Sequence, residues 1–260
     1  MEKTTVIKIG GSTLDSRDTT VEDIVSLQQQ GQSLVIVHGG GNTVTSWLKR
    51  QGIETKFVRG ERVTDAPVLE VALAVLAGLV NKEIVAAINN RGGKAAGISG
   101  IDGSLIQGKI KNPEMGYVGM ADSINPEILE ILLAAGFIPV VSPMSLYSVA
   151  RPEDASQILN INADPTAGDL AAAIRAEKLI FLTNVAGILD ASENLIPHLT
   201  PSRVESLVKS GVITGGMIPK LNACLTALNT GAVARIIDGR RPHALINEFA
   251  GEAGGTTISN

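Results

Sequence analysis

Cysteine is all but missing: Cys224 is the single one in 260 residues, which excludes an internal disulfide and removes cysteine-based metal sites from consideration. Histidine is nearly as scarce, and His38, His198 and His243 show none of the paired spacings of a zinc motif. There is no long basic run, and the formal net charge is −4. A nucleic-acid binder draws most of its affinity from Lys and Arg on phosphates, so that class is set aside. No basic segment followed by a longer apolar stretch and a cleavage site opens the chain. The most apolar run, residues 66–80, is interrupted by Glu70 and is short for a membrane span. These absences predict a soluble, cytoplasmic protein with no membrane or nucleic-acid partner and no metal held by protein ligands alone.

What is present points to a packed fold. Hydrophobic residues make up 44% and charged residues 18%, a composition that buries a core. Short β-branched runs alternate with helical periodicity, which predicts an α/β fold around a largely parallel sheet. The first strand, residues 5–9, ends in Gly10-Gly11, and a helix over 21–30 stops at Gly31. The second strand, 33–37, ends in His38-Gly39-Gly40-Gly41, after which Asn42 is the expected N-cap of a helix stopping near Gly52. Residues 65–90 predict one long helix, apolar around much of its circumference and therefore buried on several sides, against a second subunit among others. The glycine-rich stretch 94–118 predicts small hairpins. Further helices are expected at 125–136, 165–176, 202–210 and 217–230, and further strands at 137–141, 179–183 and 234–237. No low-complexity linker separates the halves. The expectation is one continuous sheet with two functional lobes, 1–176 and 177–260.

In an open parallel sheet, ligands bind beyond the carboxyl ends of strands, where loop amides and helix N-termini point outward. Lys8-x-Gly10-Gly11 sits at such an end, as does the triple glycine after His38. The triple glycine has the spacing of neither a Walker loop nor a dinucleotide fingerprint. Lys8-x-Gly-Gly alone fits a phosphate cradle or an ordinary turn equally well. Arg62, just before the long helix, has the planar fork that holds a carboxylate, though a lone Arg is more often solvated. Alternation puts Asn160, Asn162 and Asp164 on one side of an extended piece that enters a helix; Asp164 is there either a functional carboxylate or the helix N-cap. Lys220 lies near a helix start, against the dipole's preference, and an acidic partner or an anionic ligand would account for it.

Singly these elements are weak, but their order is specific. Lys8-x-Gly10-Gly11, His38-Gly39-Gly40-Gly41, Arg62-Val63-Thr64-Asp65, Asn160-x-Asn162-Ala163-Asp164 and Gly216-Met217-x-x-Lys220 together resemble the acetylglutamate kinases of the amino-acid-kinase family, over essentially the whole chain. The resemblance implies a three-layer αβα sandwich with a central, mostly parallel sheet. It implies ATP with Mg²⁺ bound to it, N-acetyl-L-glutamate as acceptor, and transfer of a phosphoryl group to its side-chain carboxylate. By the same resemblance, Lys8 and Lys220 would flank that group and Asp164 would orient both lysines. Gly10 and Gly11 would offer amides to phosphates; Gly40, Gly41, Arg62 and Asn160 would hold the acetylglutamate. Asn184, Val185, Ala186, Gly187, Ile188 and Leu189, with Val212, Ile213 and Thr214, would lie against the nucleotide. Asn184 stands where many relatives carry Asp. Arginine-inhibited relatives have an extra N-terminal helix, for which Lys8 leaves no room, so the expectation is an arginine-insensitive homodimer; against this, the run from Pro242 to Glu248 with Gly254-Gly255-Thr256 resembles the arginine-responsive type. Two other readings stay open: a kinase for aminoadipate on a carrier protein, and a non-catalytic sensor of the same fold.

Overall fold

The computed structural model describes residues 3–10, 19–58, 60–150, 156–252 and 254–260; Gly11 lies outside the described residues. β1 (Thr4–Ile9) is buried along its whole length, the signature of a central parallel strand covered on both faces. α1 (Thr20–Gln29), β2 (Ser33–His38) and α2 (Gly41–Arg50) follow. The start of α2 differs from expectation. Its N-cap is Gly40 at φ 149°, with no side-chain cap, and Asn42 lies inside the helix. The hairpin β3 (Phe57–Val58) and β4 (Glu61–Arg62) leads to Asp65, whose carboxylate accepts from Val68 N and caps α3 (Ala66–Leu73). A π-helical segment, Ala74–Val80, carries that helix without a break into α4 (Asn81–Asn89). Then come β5 (Ala95–Ser99), β6 (Ile106–Ile110), β7 (Val118–Ile124), α5 (Glu127–Ala134), β8 (Ile138–Ser142), β9 (Met144–Tyr147) and β10 (Ile158–Ile161). The remainder is α6 (Ala163–Ala173), β11 (Lys178–Thr183), β12 (His198–Leu199), α7 (Pro201–Lys209), α8 (Met217–Leu228), β13 (Val233–Asp238), α9 (Ala244–Phe249) and β14 (Thr256–Ile258).

Eight strands form one sheet in the order β12-β14-β13-β11-β1-β2-β8-β5. Among the described strands its neighbours pair in parallel except β13 with β14. The sheet crosses residue 176 without interruption, because β1 pairs directly with β11. Successive strand residues feed opposite faces. Val6, Val35, Val37, Leu179 and Phe181 pack with α6, α7 and α8, while Ile7, Ile9, Ile36, Ile180 and Leu182 pack with α1 to α4 and α9. The result is the expected three-layer αβα sandwich.

A second, closed sheet of β10, β7, β6 and β9 sits where β8 ends. Of the stretch expected to form hairpins, β6 and β7 do so, but β5 pairs in parallel with β8 as an edge of the main sheet. Short alternating segments do not encode which non-local partner they will find. The helical run Ala66–Asn89, at 24 residues, is long and apolar enough to cross a bilayer by length and composition. Here one of its faces packs into the core, and Asn81 within it is fully buried and donates to Val140 O at 2.8 Å.

α6 and α8 approach so closely that a Cβ on Gly168 would lie 2.6 Å from Ala223 O and 2.7 Å from Ala223 Cα. Neither is a flexible side-chain tip that could swing away. Gly168→Ala is therefore expected to push the two helices apart, lowering the urea midpoint by the equivalent of about 1–3 kcal/mol. A midpoint equal to the wild type would show that the helices are not held at this distance.

Candidate functional site

The chain leaves β1 for β2 on one side and later returns to β11 on the other. The carboxyl end of β1 is therefore the topological switch point of the sheet. Lys8 stands there, its side chain 11% exposed, with Nζ 2.7 Å from Oδ1 of Asp164. Lys220, in the first turn of α8, places its Nζ 2.5 Å from Oδ2 of the same carboxylate. One buried carboxylate thus holds two ammonium groups. Asp164 is free to do so because it is not the cap of α6. Asn162 takes that role, its side chain accepting from Asp164 N at 3.0 Å. Burial pulls Lys8 below its ordinary pKa, the Asp164 charge opposes this, and Lys220 adds to the lowering. Removing Asp164 would leave two closely placed cations without their counter-charge.

Beside Lys8 opens a cavity of about 280 Å³, lined by Gly39, Gly40, Gly41, Phe57, Glu61, Arg62, Leu76, Asn160 and Asn162 among others. The glycines join the end of β2 to the N-terminus of α2, where first-turn amides lack helical partners and the dipole favours an anion. Gly40 cannot be replaced without strain: its φ is positive, and a Cβ there would lie 2.7 Å from Leu76 and 3.3 Å from Val80. Both belong to the π-helical segment.

Arg62 is held by Gly41 O at 2.9 Å and Thr45 Oγ1 at 2.7 Å, both through Nη2, and its guanidinium lies 4.7 Å from the Phe57 ring centroid. Its Nη1 is buried and makes no hydrogen bond among the described residues. Burial draws the Arg62 pKa down from its ordinary value, but a guanidinium stays charged at neutral pH. Asn160 Nδ2 donates to Thr64 Oγ1 at 3.2 Å, and that hydroxyl donates to Arg62 O at 3.1 Å, tying the two candidate binding residues together. Glu61 receives Lys111 Nζ on both oxygens, at 2.9 and 2.7 Å, and Asn162 Nδ2 at 3.4 Å. Sequence reasoning proposed Gly40, Gly41, Arg62 and Asn160 for this cavity, set Asn162 on the same side as Asn160 without giving it a role, and passed over Glu61 and Phe57. Nothing local distinguishes Glu61.

His38 is not placed to act as a base. Its Nδ1 donates to Gly39 O at 2.8 Å, its Nε2 accepts from Asn81 Nδ2 at 3.1 Å, and burial lowers its pKa to about 4.

The candidate nucleotide residues lie at the same edge of the sheet: Lys8 is in register with Phe181 of β11, and 184–189 follow that strand. Ile188 is a core residue with its N–H given to Thr256 Oγ1 at 2.8 Å, and Gly187, at φ 147°, has no room for a Cβ against Leu195 and Thr256. Val185 N is taken by Thr183 Oγ1 at 3.3 Å. Ile213 is buried in the core and Val212 packs against it, just before α8. Asn184, Ala186, Leu189 and Thr214 are exposed. A separate cavity of about 80 Å³, lined by Asp238, Arg241, Asn247 and Glu252 among others, shares only Ala186 with this stretch. Gly10 is half-buried and directly follows β1.

The depressed His38 pKa has a stability consequence. Folding favours the neutral imidazole, so its contribution is full above the unfolded pKa of about 6.5 and is lost as pH falls towards 4. The loss should approach about 3 kcal/mol, read as a fall in urea midpoint between pH 7 and 4.5. His38→Gln should shrink that fall; an undiminished pH dependence would exclude the assignment.

Residues 3–238 match the model of the amino acid kinase family. Acetylglutamate kinase from Dehalococcoides mccartyi (strain CBDB1) is 48% identical over 254 residues, covering 98% of this chain and 93% of that protein. Among solved structures, smu.665 from Streptococcus mutans UA159 superposes with a TM-score of 0.83 at 28% identity, covering 100% of this chain and 99% of that one. Carbamate kinase from Giardia lamblia bound to AMP-PNP superposes at 0.73 with 17% identity, covering 98% of each chain, a likeness of fold alone. A lysine–aspartate–lysine bridge at the switch point of a parallel αβα sheet, with these matches along nearly the whole sequence, settles the family: the chain belongs to the amino acid kinases.

Proposed function

We propose that the chain transfers the γ-phosphoryl group of ATP to the side-chain carboxylate of N-acetyl-L-glutamate, giving the acyl phosphate and ADP, as a step of arginine biosynthesis. The observation that carries this reading is the bridge itself: Asp164 holds Lys8 and Lys220 at 2.7 and 2.5 Å beside a cavity that offers a glycine platform and a buried, unpartnered Arg62 nitrogen. The name of the Dehalococcoides relative supports the choice of substrate.

Phosphoryl transfer needs in-line positioning and charge neutralisation more than covalent help. The acceptor is a carboxylate, already ionised at neutral pH, and needs no general base. A neutral His38 with both ring nitrogens engaged fits that economy. Arg62 Nη1 and Asn160 hold the acceptor with the amides of Gly40 and Gly41. Lys8 and Lys220 sit on either side of the transferring group, kept apart and aimed by Asp164, while the end of β1 at Gly10 lies toward the phosphates. Residues 184–189 and 212–214 hold the nucleotide, so 1–176 act as the acceptor and phosphoryl lobe and 177–260 as the nucleotide lobe. The Asp164 and Glu61 carboxylates are both engaged by lysines, a donor set that suits Mg²⁺ carried on the nucleotide phosphates better than one caged by protein oxygens. Bound there, the ion neutralises phosphate charge.

We read the protein as a cytoplasmic homodimer. Only 44% of the most apolar window of the Ala66–Asn89 helix is buried within one chain, which leaves apolar surface for a second copy. A monomer by light scattering would remove this reading.

Hydroxylamine trapping of the acyl phosphate, with Mg²⁺, ATP and free N-acetyl-L-glutamate, tests the reaction directly. Hydroxamate should form with acetylglutamate and not with glutamate or aminoadipate; silence with acetylglutamate would refute the assignment. Lys8→Ala and Lys220→Ala should each lower kcat by roughly 10²–10³-fold while leaving the unfolding midpoint near that of the wild type. Wild-type kinetics in either variant would detach that lysine from the phosphoryl group.

A further inference from the structure

Among the described residues, one acidic side chain lines the acceptor cavity of an enzyme whose acceptor, on the reading above, is a dianion. Glu61 borders that cavity beside Arg62, and its side chain is only 18% exposed. An uncompensated carboxylate there would repel both carboxylates of the substrate. Lys111 stands behind it, just past the end of β6 and outside the cavity lining, with Nζ within 2.9 Å of one Glu61 oxygen and 2.7 Å of the other. Asn162 Nδ2, at 3.4 Å, approaches the same carboxylate from the α6 side. The backbone around Lys111 is itself fixed: its N–H donates to Val118 O at 2.9 Å, and the strand exit at Thr64 is bonded to Met115 and Tyr117 at 3.0 and 2.7 Å.

We propose that Lys111 is the counter-ion that makes the acidic wall of the cavity acceptable to a dicarboxylate, and that the Glu61–Lys111 pair sets the affinity for the acceptor's charge. This rests on the acetylglutamate reading and goes further by assigning the pair a specificity role. Among the described residues that line the cavity, Lys8 and Arg62 are cationic, and Glu61 paired with Lys111 adds no net charge. Without Lys111 the wall contributes a negative charge of its own. At cavity distances and an intermediate effective dielectric, one such charge changes binding by roughly tenfold.

The competing account makes the pair a mechanical strap that ties the β3–β4 hairpin, and Arg62 with it, to the end of β6. A double-substitution cycle separates the two. If the charge matters, Lys111→Met raises KM for acetylglutamate by roughly tenfold with kcat changed less than twofold, and the rise shrinks in 0.5 M KCl (roughly, as screening shortens to a few ångströms). Glu61→Gln alone lowers KM, and adding it to Lys111→Met restores KM to near the wild-type value. If the pair is only a strap, Glu61→Gln raises KM as much as Lys111→Met and the double variant is no better than either; that pattern overturns the proposal. Wild-type turnover on acetylglutamate is the reference for the cycle, so a failed cycle in an active enzyme removes the counter-ion role alone, whereas an inactive wild type removes the substrate reading and the inference with it.

Discussion

The site depends on one carboxylate. Two ammonium groups drawn close together in a largely dehydrated place repel each other and lose hydration, and a shared counter-ion offsets both costs. Asp164 supplies it, taking Lys8 on one oxygen and Lys220 on the other. The remaining single positive charge is the one a transferring phosphoryl group can use. The cost of this arrangement is visible in Lys8, whose pKa is lowered chiefly by burial even with Asp164 opposing. The three residues come from β1, α6 and α8, so the bridge also fixes the geometry between the two halves of the chain. Gly168 lets α6 and α8 approach to backbone contact at Ala223, which helps bring Lys220 of α8 within reach of the α6 carboxylate.

Much of this was legible in the sequence because the functional residues sit where the chain changes from one regular element to the next. Lys8-x-Gly10-Gly11 and His38-Gly39-Gly40-Gly41 mark strand ends, and Lys220 marks a helix start that runs against the dipole. Asp164 was legible only as an alternative, since an Asp before a helical pattern is also a good cap. The structure resolves it through the neighbour: Asn162 has the extended backbone of a cap residue, at φ −69° and ψ 131°, and Asp164 lies inside the helix. The misplaced N-cap at Asn42 has the same origin. Capping chemistry favours Asn, but the turn needs φ 149° two residues earlier, which only glycine at position 40 supplies without strain.

What the sequence did not reveal is non-local. The pairing of β5 with β8, the reversed β14 beside β13, and the closed four-stranded sheet each join segments whose own patterning fits several partners. Glu61 and Lys111 are far apart in the chain, and a Glu next to an Arg gives no hint of facing a cavity rather than solvent. Arg62 was proposed for its chemistry and for the Arg62-Val63-Thr64-Asp65 motif. Its placement comes from the Phe57 ring, the Gly41 carbonyl and the Thr45 hydroxyl, which lie on two different elements.

The long helix shows why composition and position must be separated. By length and hydropathy Ala66–Asn89 could cross a bilayer, yet its interior polar residue is bonded in the direction of the sheet. Asn81 donates toward His38, Ile98 O and Val140 O, from the turn where the π-helical segment gives way to α4. In a lipid-facing helix those bonds would have no partners. The same segment presses Leu76 and Val80 against Gly40. A side chain at position 40 would displace the helix, and a displaced helix would release Asn81 from His38, whose Nδ1 holds the Gly39 carbonyl. Gly40 and the apolar helix are thus conditions for one another. The helix is apolar along the face that packs against the sheet, and position 40 is glycine because the helix leaves no room there for anything larger.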